Sequence, residues 1–284
     1  MAPWRGARRA CPALDPKEIV RERKLQPSPS TTATEQVLEV RIPGANGFAG
    51  DQDEEWCEVL TGDELHRIRF HDYARIYDIP GLYEQIFHDT LECDSPQTVC
   101  SLLERVLRDH DVAPEGLSAL ELGAGNGMVG AELAERGVGK IVGVDILDEA
   151  AEAAARDRPG VYDDYKVIDL TERSEGDQDD LERANFNCLV TVAALGFGDI
   201  PPEAFAAAYD LIEPGGWIVF NIKEDFIQHG DDSGFGQMIR DALAGGALEL
   251  VADHRYRHRL AVDGQPLHYV VLVARKRAPL PREA

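Results

Sequence analysis

The chain has 284 residues, 44% of them hydrophobic, and a formal net charge of −23. That is enough apolar material for one substantial core, and the acidity makes a phosphate backbone an unexpected partner. Five cysteines with no CxxC spacing fit neither a disulfide framework nor a compact zinc site, and no metal is expected. No stretch approaches the roughly 20 apolar residues that span a bilayer, and no apolar core follows Arg5, Arg8 and Arg9 as in a secretory leader. A soluble cytoplasmic protein without a membrane partner is expected.

In chain order, residues 1–30 hold seven Lys/Arg against three Asp/Glu, whereas the remainder of the chain is strongly acidic. This arm reads as the start of a loosely packed or partly disordered extension, residues 1–62. Within it, residues 35–43 alternate as one strand, and Asp51–Glu64, with seven acidic residues and no basic one, reads as a solvated linker. From Asp63 to about His88, Leu65, Ile68, Tyr73, Ile76 and Tyr77 recur at helical spacing, broken by Pro80-Gly81. A second stripe, Val99, Leu102, Leu103, Val106 and Leu107, predicts another helix, and residues 63–112 are expected to form a helical lid.

The catalytic core is placed at 113–278. Strands are predicted at 118–122, 140–145, 165–168, 186–192 and 216–222, with helices at about 128–137, 148–156 and 202–212. Short apolar runs alternating with helices imply right-handed crossovers and a largely parallel sheet covered on both faces. Two later apolar stretches, 248–261 and 268–274, flank the Asp263-Gly264 turn and predict an antiparallel pair. The expected fold class is therefore α/β, a three-layer mostly parallel sheet with a C-terminal antiparallel strand pair and an N-terminal helical lid.

The informative stretch is Ala119–Gly130, where an apolar strand runs into Gly123, Gly125 and Gly127. Glycine accepts positive φ and has no Cβ, so this loop can lie against a ligand at the carboxyl end of the sheet. The following helix, opening near Met128, turns free N–H groups to the same edge. Three carboxylates surround the point: Glu121 before the loop, Asp145 ending the second strand, and Asp169 after the third. Asp145 can accept both ribose hydroxyls, and Asp169 an exocyclic purine amine. Gly125-Asn-Gly127-Met-Val-Gly130 also satisfies the dinucleotide pattern G-x-G-x-x-G, but three acids suit a ligand carrying positive charge better than a diphosphate.

On these residues the chain resembles the class I, seven-stranded, Rossmann-like S-adenosylmethionine-dependent methyltransferases. Glu121-Leu-Gly-Ala-Gly-Asn-Gly127 is similar to their first motif, Asp145 to the acid ending the second strand, and Asp169 to the adenine-contacting acid. Pro214-Gly-Gly-Trp-Ile-Val-Phe220 resembles the turn into the fifth strand, and His71–Asp78 a tyrosine-containing segment that folds over the cofactor. The resemblance runs from about Ile68 to Lys276. It implies that S-adenosyl-L-methionine binds against Tyr73, Tyr77, Glu121, Gly123, Ala124, Gly125, Asn126, Gly127, Asp145, Ile146, Asp169, Leu170 and Val192.

The acceptor is less legible. The fourth-strand end, Thr191–Pro201, lacks the Asn/Asp-Pro-Pro-Tyr tetrad of many amino-group methyltransferases, and Asp199-Ile-Pro-Pro202 is only a superficial echo. A small molecule methylated on oxygen or nitrogen is expected, with Phe197, Lys223 and His229 on the acceptor side. His71 and His229 are the candidate bases, because histidine titrates near neutral pH. His254, Arg255, Arg257, His258 and Arg259 form a basic cluster that can face solvent, a partner or an anionic substrate. A non-catalytic module of the same fold and an NAD-dependent oxidoreductase are the alternatives. Oligomeric state is left open.

Overall fold

Two sheets organise the chain, in a computed structural model that describes residues 38–43, 52–61, 63–229 and 234–281, the side chains of 228 and 229 excepted. The smaller is antiparallel, in the order β1 (Glu39–Arg41), β2 (Trp56–Thr61), β3 (Glu64–Arg69). Helix α1 (Tyr73–Asp78) and a π-helical turn (Glu84–Thr90) follow, then α2 (Ser95–Asp109). From there strands and helices alternate: β4 (Ser118–Leu122), α3 (Met128–Glu135), β5 (Lys140–Asp145), α4 (Asp148–Asp157) and β6 (Asp164–Val167). Next come α5 (Glu175–Arg183), β7 (Phe186–Thr191), α6 (Pro202–Asp210) and β8 (Ile212–Lys223). The described chain closes with α7 (Glu224–His229), α8 (Phe235–Ala244), β9 (Leu248–Leu260) and β10 (Pro266–Lys276).

The large sheet has the order β6-β5-β4-β7-β8-β10-β9, parallel through β8, with β10 antiparallel to both its neighbours. The strand order reverses between β4 and β7, so a crevice opens above their carboxyl ends. Alternation along the central strands sends side chains to two cores. Leu120, Leu189, Ile218 and Phe220 meet α6 and α8 through Phe205, Tyr209, Phe235 and Ile239. On the opposite face Ala119, Val190, Trp217 and Val219 meet the α2 stripe and Val129 and Leu133 of α3. Burying each of the larger side chains contributes about 1.5 to 3 kcal/mol.

The N-terminal part departs from expectation. The linker expected over Asp51–Glu64 contains strand β2, and the helix expected from Asp63 begins instead as strand β3. Leu65, counted in the helical stripe, is 49% exposed; the residues that reach the core are Cys57 and Val59 of β2, Ile68 of β3 and Phe70 just beyond it. The pairing that decides this, Trp56 opposite Arg69 and Cys57 opposite Ile68, lies outside any local periodicity. Within the expected lid, α2 is a layer of the main core, while α1 and the π-helical turn cover the glycine loop. Helices α5, α7 and α8 lay outside the predicted set. The arm before residue 38, with Cys11, falls outside the described residues. Cys57, Cys93, Cys100 and Cys188 are free thiols, and burial pushes Cys57 up to about 11 and Cys188 up to about 12.

Candidate active site

The glycine loop is built by hydrogen bonds that extend the β4–β5 pairing past the strand end. Gly123 and Ala124 N–H groups both donate to Val144 O, at 2.9 and 3.1 Å, and Gly125 N–H then donates to Asp145 Oδ2 at 2.9 Å. The other carboxylate oxygen accepts from Ile146 and Leu147 N–H, at 2.8 and 3.2 Å. Asp145 therefore pins the loop and the start of α4 together. Burial raises its carboxyl above the ordinary value despite those three donors.

Above the loop stands a ladder of aromatic rings. Tyr73, Tyr77 and Tyr83 stack at 6.0 and 5.3 Å between centroids, and Phe87 follows at 4.8 Å. The Tyr77 hydroxyl lies so close to Gly125, whose φ is +52°, that any Cβ there would collide with it. Gly130 answers to a different neighbour: a Cβ would lie 2.6 Å from the Tyr162 ring. Tyr162 donates to Glu121 at 3.0 Å, so the third glycine of the dinucleotide-like pattern makes room for a side chain that anchors a buried acid. Burial is the main cause that pushes Glu121 up to about 8, partly offset by the Tyr162 hydrogen bond.

A second tie crosses from the π-helical turn. Glu84 Oε1 accepts from Asn126 Nδ2 and from Arg158, both at 2.8 Å, and Arg158 also donates to the Asn126 carbonyl at 2.9 Å. Asn126 thus serves as a strut between loop and lid.

Between the ladder and the strand ends is a cavity of about 410 Å³. His71, Tyr73, Tyr77, Gly123, Asp145, Ile146, Asp169, Leu170 and Val192 all line it, as does Asp199, which was not among the residues expected there. Glu121, Ala124, Gly125 and Asn126 face a neighbouring chamber of about 40 Å³ beneath Tyr77 and Tyr83. Phe197 lines a third, also about 40 Å³, with His71, Asp199, Phe70, His258 and Arg259. Gly127 lines none of the three; with φ +85° it caps the start of α3. Lys223 also stands outside them, its ammonium 5.5 Å from the Phe197 ring and 5.6 Å from that of Phe226. The side chain of His229 lies outside the described residues.

The lining suits a cationic nucleoside. No lysine or arginine lines the large cavity among the described residues, whereas the carboxylates of Asp72, Asp145, Asp169 and Asp199 do so, with Ile146, an apolar side chain left 61% exposed. Asp169 is exposed on the rim, and hydrogen bonds from the Thr171 hydroxyl and N–H, both 2.7 Å, hold its carboxyl below the ordinary value. A diphosphate would meet acids here without a compensating cation.

The basic cluster is not a free anion surface. Arg255 pairs with Glu224 at 2.8 Å, Arg257 with Glu92 at 2.8 Å, and Arg259, 4% exposed, with Glu55, 1% exposed. His258 is buried against Ser95 Oγ at 2.6 Å, and burial first, Arg259 second, drives its imidazole well below the usual range.

The sheet order, the glycine loop and the strand-end acids define a Rossmann-like methyltransferase fold. The pattern of a family described as "Methyltransferase domain" matches residues 93–260, more than half of the chain, and the chain belongs to that family. Among solved structures it is similar to N-methyltransferase NodS from Bradyrhizobium japonicum, in complex with S-adenosyl-L-homocysteine. Identity is 18%, covering 73% of this chain and 97% of that one, with a TM-score of 0.51. It is also similar to a SAM-dependent methyltransferase from Anabaena variabilis, with 12% identity over 74% of this chain and 96% of that one, TM-score 0.50. No curated protein matches the sequence. Among the described residues, no helix is long and apolar enough to cross a membrane, and no group of three His, Cys, Asp or Glu is placed to hold a metal ion.

Proposed function

We propose that this chain transfers a methyl group from S-adenosyl-L-methionine to a small-molecule acceptor in the cytoplasm. The observation that carries the reading is the cavity of about 410 Å³, lined by no lysine or arginine among the described residues, with Asp145 and Asp169 on its wall and two chambers of about 40 Å³ sharing its aromatic lining. In this reading Asp145 receives the ribose, Ile146 and Leu170 flank the base, Asp169 meets its amine, and Glu121 lies toward the amino-acid end. The bound sulfonium supplies an activated methyl group, and the protein aligns donor and acceptor away from water. The narrow chamber beside Phe197 favours a low-mass acceptor over a polymer segment.

The test is incubation of the full chain with methyl-labelled S-adenosyl-L-methionine, a low-mass metabolite extract, and total protein and RNA. Label is expected in low-mass products. Label confined to the protein or RNA fraction would overturn the small-molecule assignment.

A further inference from the structure

We propose that His71 and Asp199 form a general-base pair and that the acceptor is a hydroxyl compound with an apolar or aromatic body, an inference that rests on the methyl-transfer reading. His71 stands two residues beyond β3 and Asp199 in the loop after β7, so two separate elements deliver the pair to one point. His71 Nδ1 lies 2.8 Å from Asp199 Oδ2, and the two side chains are 16% and 25% exposed. A carboxylate only accepts, so it holds the hydrogen on Nδ1 and leaves the lone pair on Nε2. Among the described residues Nε2 has no hydrogen-bond partner. Both residues line the large cavity and the third chamber, where donor and acceptor would meet.

The loop that carries Asp199 is held in an unusual shape. Ala193 and Phe197 are non-glycine residues with φ +56°, and Gly196 and Gly198 also have positive φ. Asn221 Oδ1 accepts from Ala193 N–H at 2.6 Å, while the Phe197 ring packs 5.5 Å from His71 and 5.0 Å from Phe226. Such backbone persists only where its surroundings over-determine it, and it is a frequent mark of a reacting site.

The chamber selects the acceptor class. Its aromatic wall includes Phe70, Phe87, Phe197 and Tyr269, and its one arginine, Arg259, is already neutralised by Glu55. A carboxylate acceptor would find no free cation there and would need no base, whereas an alcohol or phenol must lose a proton. Tyr73, Tyr83, Cys93, His258 and Tyr269 are the chamber's other titratable groups, and none bonds to His71. In the step, the hydroxyl proton moves to His71 Nε2 and an oxygen lone pair forms the new bond to the methyl carbon. The carbon–sulfur bond breaks with its electron pair going to sulfur. The products are a methyl ether, a neutral thioether and an imidazolium facing Asp199, which returns its proton to solvent.

Two measurements on the full chain test this. Imidazole nitrogen chemical shifts should show His71 as the Nδ1–H tautomer, and Asp199→Asn should move population to Nε2–H. An Nε2–H tautomer in the unmodified protein, or no response to Asp199→Asn, overturns the pair with no acceptor needed. With phenol, benzylamine and benzoate as probe acceptors, phenol should be methylated. His71→Gln and Asp199→Asn should each lower kcat on phenol by about 100-fold at saturating donor. Methylation of benzylamine or benzoate at rates the two variants leave unchanged overturns the acceptor class. Failure of the unmodified protein to bind S-adenosyl-L-methionine would instead refute the methyl-transfer reading and leave the tautomer result standing.

Discussion

Asp145→Ala should weaken binding of S-adenosyl-L-methionine by about 30- to 800-fold, the equivalent of about 2 to 4 kcal/mol for two ribose hydroxyls left without an acceptor. The carboxylate has a second duty that the sequence did not reveal: it accepts from the N–H groups of Gly125, Ile146 and Leu147. The alanine variant should therefore also unfold at lower temperature, because three backbone donors, those of Gly125 and Leu147 partly buried, lose their partner. Asp145→Asn separates the two effects. It keeps the volume and one acceptor oxygen, so stability should fall less while affinity still drops. Unchanged affinity in both variants, read by titration calorimetry, would place the ribose elsewhere.

Arg259→Met should cost about 3 to 5 kcal/mol of folding stability, because it leaves Glu55 as an uncompensated charge at 1% exposure. Methionine retains much of the apolar volume beside Phe70 and Phe87, whose ring centroids lie 5.7 and 6.0 Å from the guanidinium carbon. The loss should thus report charge more than packing. Glu55 Oε1 also accepts from Val262 N–H at 2.8 Å. The informative partner is therefore Glu55→Gln, which preserves that hydrogen bond. The double variant Glu55→Gln with Arg259→Met should be more stable in urea than Arg259→Met alone, since it removes the orphaned charge. Equal stability of the single and double variants would mean that the pair is not what joins the β2 entry to the β9 end.

Legibility in the sequence followed sequence separation. Strand β4, the loop through Gly127, α3 and β5 up to Asp145 lie within a few turns of one another, and both their hydrophobic rhythm and their chemistry are local. Their limits were readable almost to the residue, as was the antiparallel pair around Asp263-Gly264. The N-terminal hairpin was not readable, because Leu65 and Ile68 mimic helical spacing while the pairing that makes them a strand comes from β2. Glu55 looked like part of a solvated acidic run because its partner stands 204 residues away. Asp199 was hidden in an echo of another motif, since nothing local links it to His71, 128 residues earlier. The signal that could have found it was the Gly196-Phe197-Gly198 run, whose positive-φ backbone turns the chain between the Leu195 and Ile200 bridge and carries Asp199.

Titration calorimetry of the full chain with S-adenosyl-L-methionine, S-adenosyl-L-homocysteine, NAD and NADP tests the central claim most directly. The two sulfur nucleosides should bind and the dinucleotides should not. The enthalpy for S-adenosyl-L-methionine at pH 7 should also vary with buffer ionisation. Burial pushes the Glu121 carboxyl up to about 8, so it should take up a proton near neutral pH and release it when an ammonium group settles beside it. Binding of NAD or NADP alone would contradict the assignment of this site to a methyl donor.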